Sequence, residues 1–137
     1  MSDVTITVPP HCDVTLGLHC VDKSRPGITV WQMAAAQSFA NVTGVVQGGF
    51  LTAMADTAMG SAAHTFARAA GRKGYSSSIE TKTTYLAQAT VGATLECTAR
   101  IVHGGRRVLF AEAEIVDDQG VPIARASGSY LFTSTER

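Results

Sequence analysis

Apolar residues recur at helical spacing over only one long stretch of the chain, residues 47–70, QGGFLTAMADTAMGSAAHTFARAA. Leu51, Met54, Ala55, Ala58, Ala62 and Phe66 follow at steps of three and four, the period of a single helix face. At 100° per residue they fall within about 60° either side of Leu51. The opposite side carries Gly49, Ala53, Asp56, Gly60 and Ala63. A solvent-facing side would carry Lys, Glu and Gln, whereas small residues admit another backbone at close range. The expectation is a helix buried nearly all round, with one side on a sheet and the other near a partner. Asp56 is then a carboxylate in crowded, apolar surroundings, which costs free energy unless it is hydrogen-bonded or put to chemical use.

Outside this helix the pattern shortens to a period of two. Val4, Ile6 and Val8 alternate until Pro9-Pro10 stops any regular element, so residues 1–13 are expected as an N-terminal arm and 14–137 as a single domain. Leu16, Leu18 and Cys20 begin a strand, a polar turn follows at 22–27, and Ile28, Val30 and Gln32 resume a second strand, together a hairpin. Residues 34–39 read as a short helical turn in an ordered loop that leads to the helix. Four strands are expected after it, at 75–86, 94–103, 106–117 and 121–132. The turns between them fall at 88–92, at Gly104-Gly105 and at 117–120, the last two being strong hairpin signals. Close connections of hairpin type make the sheet antiparallel. The fold class is therefore α+β, one long helix on a strongly curved sheet of about six strands. That arrangement leaves a sheet edge and an outer face uncovered, so at least a dimer is expected.

Composition narrows the function. The 137 residues are 45% hydrophobic, enough for one domain with a real core. The 11 basic and 11 acidic residues cancel, so no global basic surface exists to hold nucleic acid. Cys12, Cys20 and Cys97 form no Cys-x-x-Cys pair and no disulfide framework, and are expected as reduced thiols in the cytoplasm. The first residues lack the basic and apolar runs of a signal peptide. Asp56, Gly60 and His64 break the longest weakly polar stretch, so no membrane span is expected.

The candidate chemistry sits at the start of the helix. Gly48-Gly49 is a poor helix start, at about 1 kcal/mol per glycine relative to alanine. It makes sense where bare N–H groups must be approached closely. A carbonyl oxygen pointed at the Gly48 N–H would be polarised by the helix field, and an oxyanion formed there stabilised. Asp56 lies eight residues further on, about 12 Å up the axis by helical rise. One helix cannot present both groups to one reacting atom. Either Asp56 is unrelated, or a second copy supplies it across a two-fold interface. A carboxylate beside an electrophilic carbonyl attacks it or activates water, which amounts to acyl-transfer hydrolysis without a serine triad. No His-x-x-x-His, tight Cys/His cluster, Gly-x-Ser-x-Gly elbow or Walker loop is present, so no metal site is read. The basic turn at 102–107 is either a plain hairpin tip or a phosphate contact.

The runs Gly44-Val45-Val46-Gln47-Gly48-Gly49 and Ala55-Asp56-Thr57-Ala58-Met59-Gly60, with the later hairpin Asp117-Asp118-Gln119-Gly120-Val121-Pro122, resemble the hotdog-fold acyl-CoA thioesterases, specifically their phenylacetate-degradation branch. The resemblance covers residues 14–133. It implies a hotdog fold, sheets joined side by side in a homodimer, and dimers paired again into a homotetramer. It implies that Gly48 is the oxyanion donor and that Asp56 of the facing protomer is the nucleophile or general base. Asn41 would hold substrate or water, and Ser78, or Ser77 one register away, would position water. The family's His-Gly-Gly is Gln47-Gly48-Gly49 here, and glutamine cannot accept a proton near neutral pH. The substrate would be an acyl- or aryl-acyl-CoA, with no separate cofactor because coenzyme A is part of the substrate. Arg106, Arg107, Arg72 and Lys73 are the candidates for its phosphates, and Phe39, Phe50, Met54 and Met59 for its acyl pocket. The alternatives are a non-catalytic acyl-CoA or small-ligand binding protein of the same fold, motivated by Gln47, and a dehydratase, which lacks its usual catalytic histidine here.

Overall fold

A computed structural model describes residues 8–136, and the helix read from the apolar spacing is a 22-residue helix, Gly48–Ala69, here α2. Leu51, Met54, Ala55, Ala58 and Ala62 are buried, and Met59, Ala63 and Ala67 join them. The many alanines let the helix backbone lie close to the sheet. At its C-terminal end the Ala70 and Arg72 N–H groups bond the Ala67 carbonyl and the Gly71 N–H bonds that of Arg68, satisfying acceptors the last turn leaves open.

Six strands form one antiparallel sheet around α2, which touches every one of them. β1 (His19–Arg25) and β2 (Ile28–Ala34) make the expected first hairpin through Pro26-Gly27. Gly27, at φ 76°, takes the left-handed position such a turn requires. β4 (Thr94–Gly104), β5 (Val108–Val116) and β6 (Pro122–Ser134) form a meander through the two turns read as hairpins. Along β5, Leu109, Ala111, Ala113 and Ile115 are buried, while Phe110 and Glu114 are exposed. The buried Thr29 hydroxyl on β2 donates to the Ala58 carbonyl at 2.8 Å and pins mid-helix to sheet.

Two expectations are corrected. The connection at 88–92 is not a hairpin. β3 (Gly74–Tyr85) pairs with β6 at one edge of the order β1-β2-β4-β5-β6-β3, and the chain then crosses to β4 beside β2. The crossing segment satisfies its backbone on the loop ahead of α2. The Ala89 carbonyl accepts from Val46 N–H, and the Gly92 N–H donates to Ala35. Secondly, the alternation at 16–20 is not one strand. His11–Leu16 form a short helix, α1, with Pro10 just before it and Gly17 just after, and β1 begins only at His19. α1 straddles the expected boundary between arm and domain, and its Asp13 is buried. Val4 and Ile6 of the expected arm lie outside the described residues.

β3 is an outer strand of 12 residues, and Tyr75, Ile79, Tyr85 and the adjoining Leu86 are exposed along it. Such an edge is an open template for another strand.

Candidate active site

The start of α2 is fixed by the loop before it rather than by a side-chain cap. The 3-10 turn Gln37–Phe39 leads into a short return in which Asn41 N–H donates to the Val45 carbonyl and Gln47 N–H to the Phe39 carbonyl. The Asn41 side-chain oxygen holds that return by accepting from the Thr43 N–H at 3.0 Å, the Thr43 hydroxyl at 2.7 Å and the Val45 N–H at 3.3 Å. Asn41 is exposed, and its amide NH2 has no acceptor among the described residues. Gln47 is exposed at the N-cap position and makes no side-chain capping bond. The N–H groups of Gly48 and Gly49 likewise find no acceptor among the described residues. Two bare donors at the positive end of a long helix suit a developing negative charge.

The bare Cα of Gly48 makes room for the Tyr85 ring. A Cβ there would stand 2.7 Å from Cζ of Tyr85, whose hydroxyl shares a 2.9 Å hydrogen bond with Thr52. Thr52 in turn donates to Thr83 on β3. Phe39 and Phe50 stack nearby, with ring centroids 4.3 Å apart. Of the four candidate pocket residues, Phe50 is half-buried and Met54 and Met59 are wholly inside the core.

Asp56 sits two turns further along α2 and is half-buried. The Tyr130 hydroxyl of β6 donates to its Oδ1 at 2.8 Å. Its other carboxylate oxygen accepts no hydrogen bond among the described residues. Tyr130 is fully buried, and burial first, then the bond to Asp56, push its phenol above the ordinary value. The small-residue side of α2 is therefore covered in part by the chain itself. Gly60 faces the Tyr130 ring, and the Ser76 hydroxyl donates to the Gly60 carbonyl. Ser78 stands opposite Tyr130 in the β3–β6 register, just before a bulge that ends at Glu80. Facing residues of an antiparallel pair share a side, which places Ser78 rather than Ser77 on the Asp56 side of the sheet. It is exposed.

The cations do not join this group within one protomer. Arg72 and Lys73 follow the C-terminal end of α2, and Arg106 and Arg107 occupy the β4–β5 turn beside it. Gly48 is at the other end of a 22-residue helix, about 33 Å long. The Arg72 guanidinium donates to the Gly105 and Arg106 carbonyls and lies 4.3 Å over the Phe132 ring, so part of its role is to hold the turn. Arg106, Arg107 and Lys73 are exposed. His64 is exposed on α2, as a surface histidine. Among the described residues no three His, Cys, Asp or Glu side chains come together to hold a metal, and no helix is long and apolar enough to cross a membrane.

Tyr130, Tyr85 and Thr52 were not legible as site residues. Tyr130 is 74 residues from Asp56 and reads as an ordinary strand residue. The available signal was a pair of needs, since a buried phenol requires an acceptor and a buried carboxylate a donor.

Comparison with known proteins agrees with this fold. The family model described as Thioesterase superfamily matches residues 43–124. No curated protein sequence matches significantly. Among solved structures, the Escherichia coli PaaI protein from the phenylacetic acid degradation operon is 23% identical, with a TM-score of 0.83 over 91% of this chain and 86% of that one. A conserved protein from Pseudomonas aeruginosa is 28% identical, with a TM-score of 0.79 over 90% of this chain and 94% of that one. A Streptococcus mutans protein solved with acetyl CoA bound is 18% identical, with a TM-score of 0.78 over 88% of this chain and 91% of that one. With the family matched across the helix and strands β3 to β5, and the hotdog architecture shared, the chain belongs to the thioesterase superfamily and is a thioester hydrolase.

Proposed function

We propose that the chain hydrolyses acyl- or aryl-acyl-CoA thioesters to the free acid and coenzyme A, at sites shared between two protomers. The thioester carbonyl oxygen sits against the Gly48 N–H, and Asp56 of the facing protomer is the nucleophile or general base. In the general-base form Asp56 takes a proton from water while the water oxygen adds to the carbonyl carbon. The carbonyl electron pair moves onto the oxygen held by Gly48, and collapse of that intermediate expels the coenzyme A thiolate. Asn41, through its outward amide, and Ser78, on the Asp56 side of β3, hold substrate or water. Gln47 flanks the donor glycine in place of the family's histidine. Coenzyme A enters only as part of the substrate, with no separate cofactor. Its phosphates meet Arg106, Arg107, Arg72 or Lys73 of a neighbouring protomer, since a protomer's own cations lie at the far end of α2. The homodimer forms along β3, dimers pair into a homotetramer, and the protein works in the cytoplasm.

One observation carries the reading. Gly48, with an open N–H, and Asp56, with an open carboxylate oxygen, stand on one helix and cannot converge on one atom. Mixing two inactive variants tests it. Gly48→Pro removes the donor and Asp56→Asn the carboxylate, and each alone is expected to release coenzyme A from an acyl-CoA panel at least about a hundredfold more slowly than wild type. Random pairing makes half the dimers hybrid, each with one intact site, so the mixture regains about a quarter of wild-type activity. A mixture as silent as its parts refutes the shared site. Wild type that binds the panel but never turns it over favours the binding-protein alternative.

A further inference from the structure

We propose that Tyr130 is the positioning residue for Asp56, tethering one carboxylate oxygen so that the other faces the substrate. The inference rests on the reading of Asp56 as the acidic group of the reaction. The torsion that turns a carboxylate about its Cβ–Cγ bond is broad and roughly two-fold, so a free aspartate presents neither oxygen reliably. Here the Tyr130 hydroxyl holds Oδ1 at 2.8 Å and also lies 3.3 Å from the Asp56 main-chain carbonyl, while Oδ2 has no partner among the described residues.

The phenol itself is held by a built setting. Its exposure is 2%, and it lies between β3 and β5, opposite Ser78 and Leu109. Two glycines bracket the ring. A Cβ at Gly128 would stand 2.9 Å from Cε2, and one at Gly60 would stand 3.5 Å from Cε1. Gly128 therefore leaves the room the ring occupies, and Gly60 lets the helix pass over it. Both lie within one helical turn or two strand residues of the hydrogen-bonded pair. Such an arrangement fixes the reacting group before substrate arrives. Tyr130 touches neither substrate nor reacting atoms and acts only through Asp56.

The test measures kcat and KM separately for wild type, Asp56→Asn and Tyr130→Phe on the best acyl-CoA. Tyr130→Phe is expected to lower kcat about ten- to a hundredfold, the range for losing a hydrogen bond to a charged group, with KM within about twofold. Asp56→Asn that is inactive beside Tyr130→Phe with wild-type kcat overturns the positioning role alone. Asp56→Asn that keeps wild-type turnover overturns the function reading and this inference with it. A Tyr130→Phe protein that fails to fold is replaced by a series of fluorotyrosines at 130, which keep the ring and change only the donor strength. The logarithm of kcat then tracks phenol acidity, and a flat series overturns the proposal.

Discussion

Replacing Gly48 separates the bare N–H from the bare Cα. In Gly48→Ala the N–H remains and a methyl is added 2.7 Å from Tyr85 Cζ, 2.9 Å from Cε1 and 3.0 Å from the hydroxyl. Ordinary carbon contacts are about 3.5–4.0 Å, so the ring must retreat by roughly 1 Å. Tyr85 is 51% exposed and free to swing outward. The movement costs its hydrogen bond to Thr52, about 0.5–1.5 kcal/mol. Against this, alanine gains up to about 1 kcal/mol of helix propensity. The net change in stability is within about 1 kcal/mol, a melting shift of no more than about 5 °C. Gly48→Pro is the sharper probe. Gln47, at φ −63° and ψ 135°, already has the extended conformation that precedes proline, and proline is favoured at the first helical position. The lost N–H bonds nothing among the described residues. Both variants displace Tyr85, so their difference isolates the donor. Loss of one oxyanion donor costs about 10²–10³ in kcat. Coenzyme A release under saturating substrate should therefore be about a hundredfold or more slower for Gly48→Pro than for Gly48→Ala, with both melting near wild type. A proline variant within threefold of the alanine variant refutes Gly48 as the oxyanion donor.

Three further outcomes are expected. Thr29→Val removes the hydroxyl that pins β2 to the Ala58 carbonyl and should lower the unfolding free energy in urea by about 1 kcal/mol, and a loss near zero would show the bond is not contributing. The Trp31 indole N–H is buried without a partner among the described residues, so Trp31→Phe gives back part of what its smaller volume costs. Its destabilisation should stay below about 1.5 kcal/mol, against about 3–5 for truncation of a core tryptophan to alanine; a loss beyond 3 would mean that the N–H is bonded. Burial pushes the Cys97 thiol from its ordinary 9.0 up to about 12, so the unfolded chain ionises first. The stability this holds is whole below pH 9.0 and is lost as pH rises toward 12, so alkaline melting curves should fall less steeply in Cys97→Ala than in wild type.

The periodicity located α2 to within a residue at each end because its apolar spacing has no competing reading. Gly104-Gly105 and 117–120 were legible as hairpins because the strands on either side pair with each other. The turn residues at 88–92, Gln-Ala-Thr-Val-Gly, give a weaker hairpin signal than the other two and carry a crossover, because pairing is decided by which strand edge is free rather than by the turn. For the same reason the sheet order, with β3 beside β6, was not legible. Gly48 and Asp56 could be proposed from the spacing of two motifs, and Ser78 only from the family resemblance. The Tyr130–Asp56 bond and the Tyr85 contact with Gly48 depend on side chains brought together by that unread strand order. The distance between the cations and Gly48 was available from helix length, but the hairpin tip at 105–107 could be placed beside the far end of α2 only once the β4–β5 register was known.

The two halves of the Asn41 amide answer to different demands. Its oxygen is fully engaged in holding the 41–45 return, so its orientation is settled and only NH2 faces outward. Aspartate fills such a turn as well as asparagine does. The fold would therefore accept Asn41→Asp with little change, while the outward group reversed from a donor to an acceptor. Folding stability thus does not tell the amide from the carboxylate at this position, and only the outward group separates them.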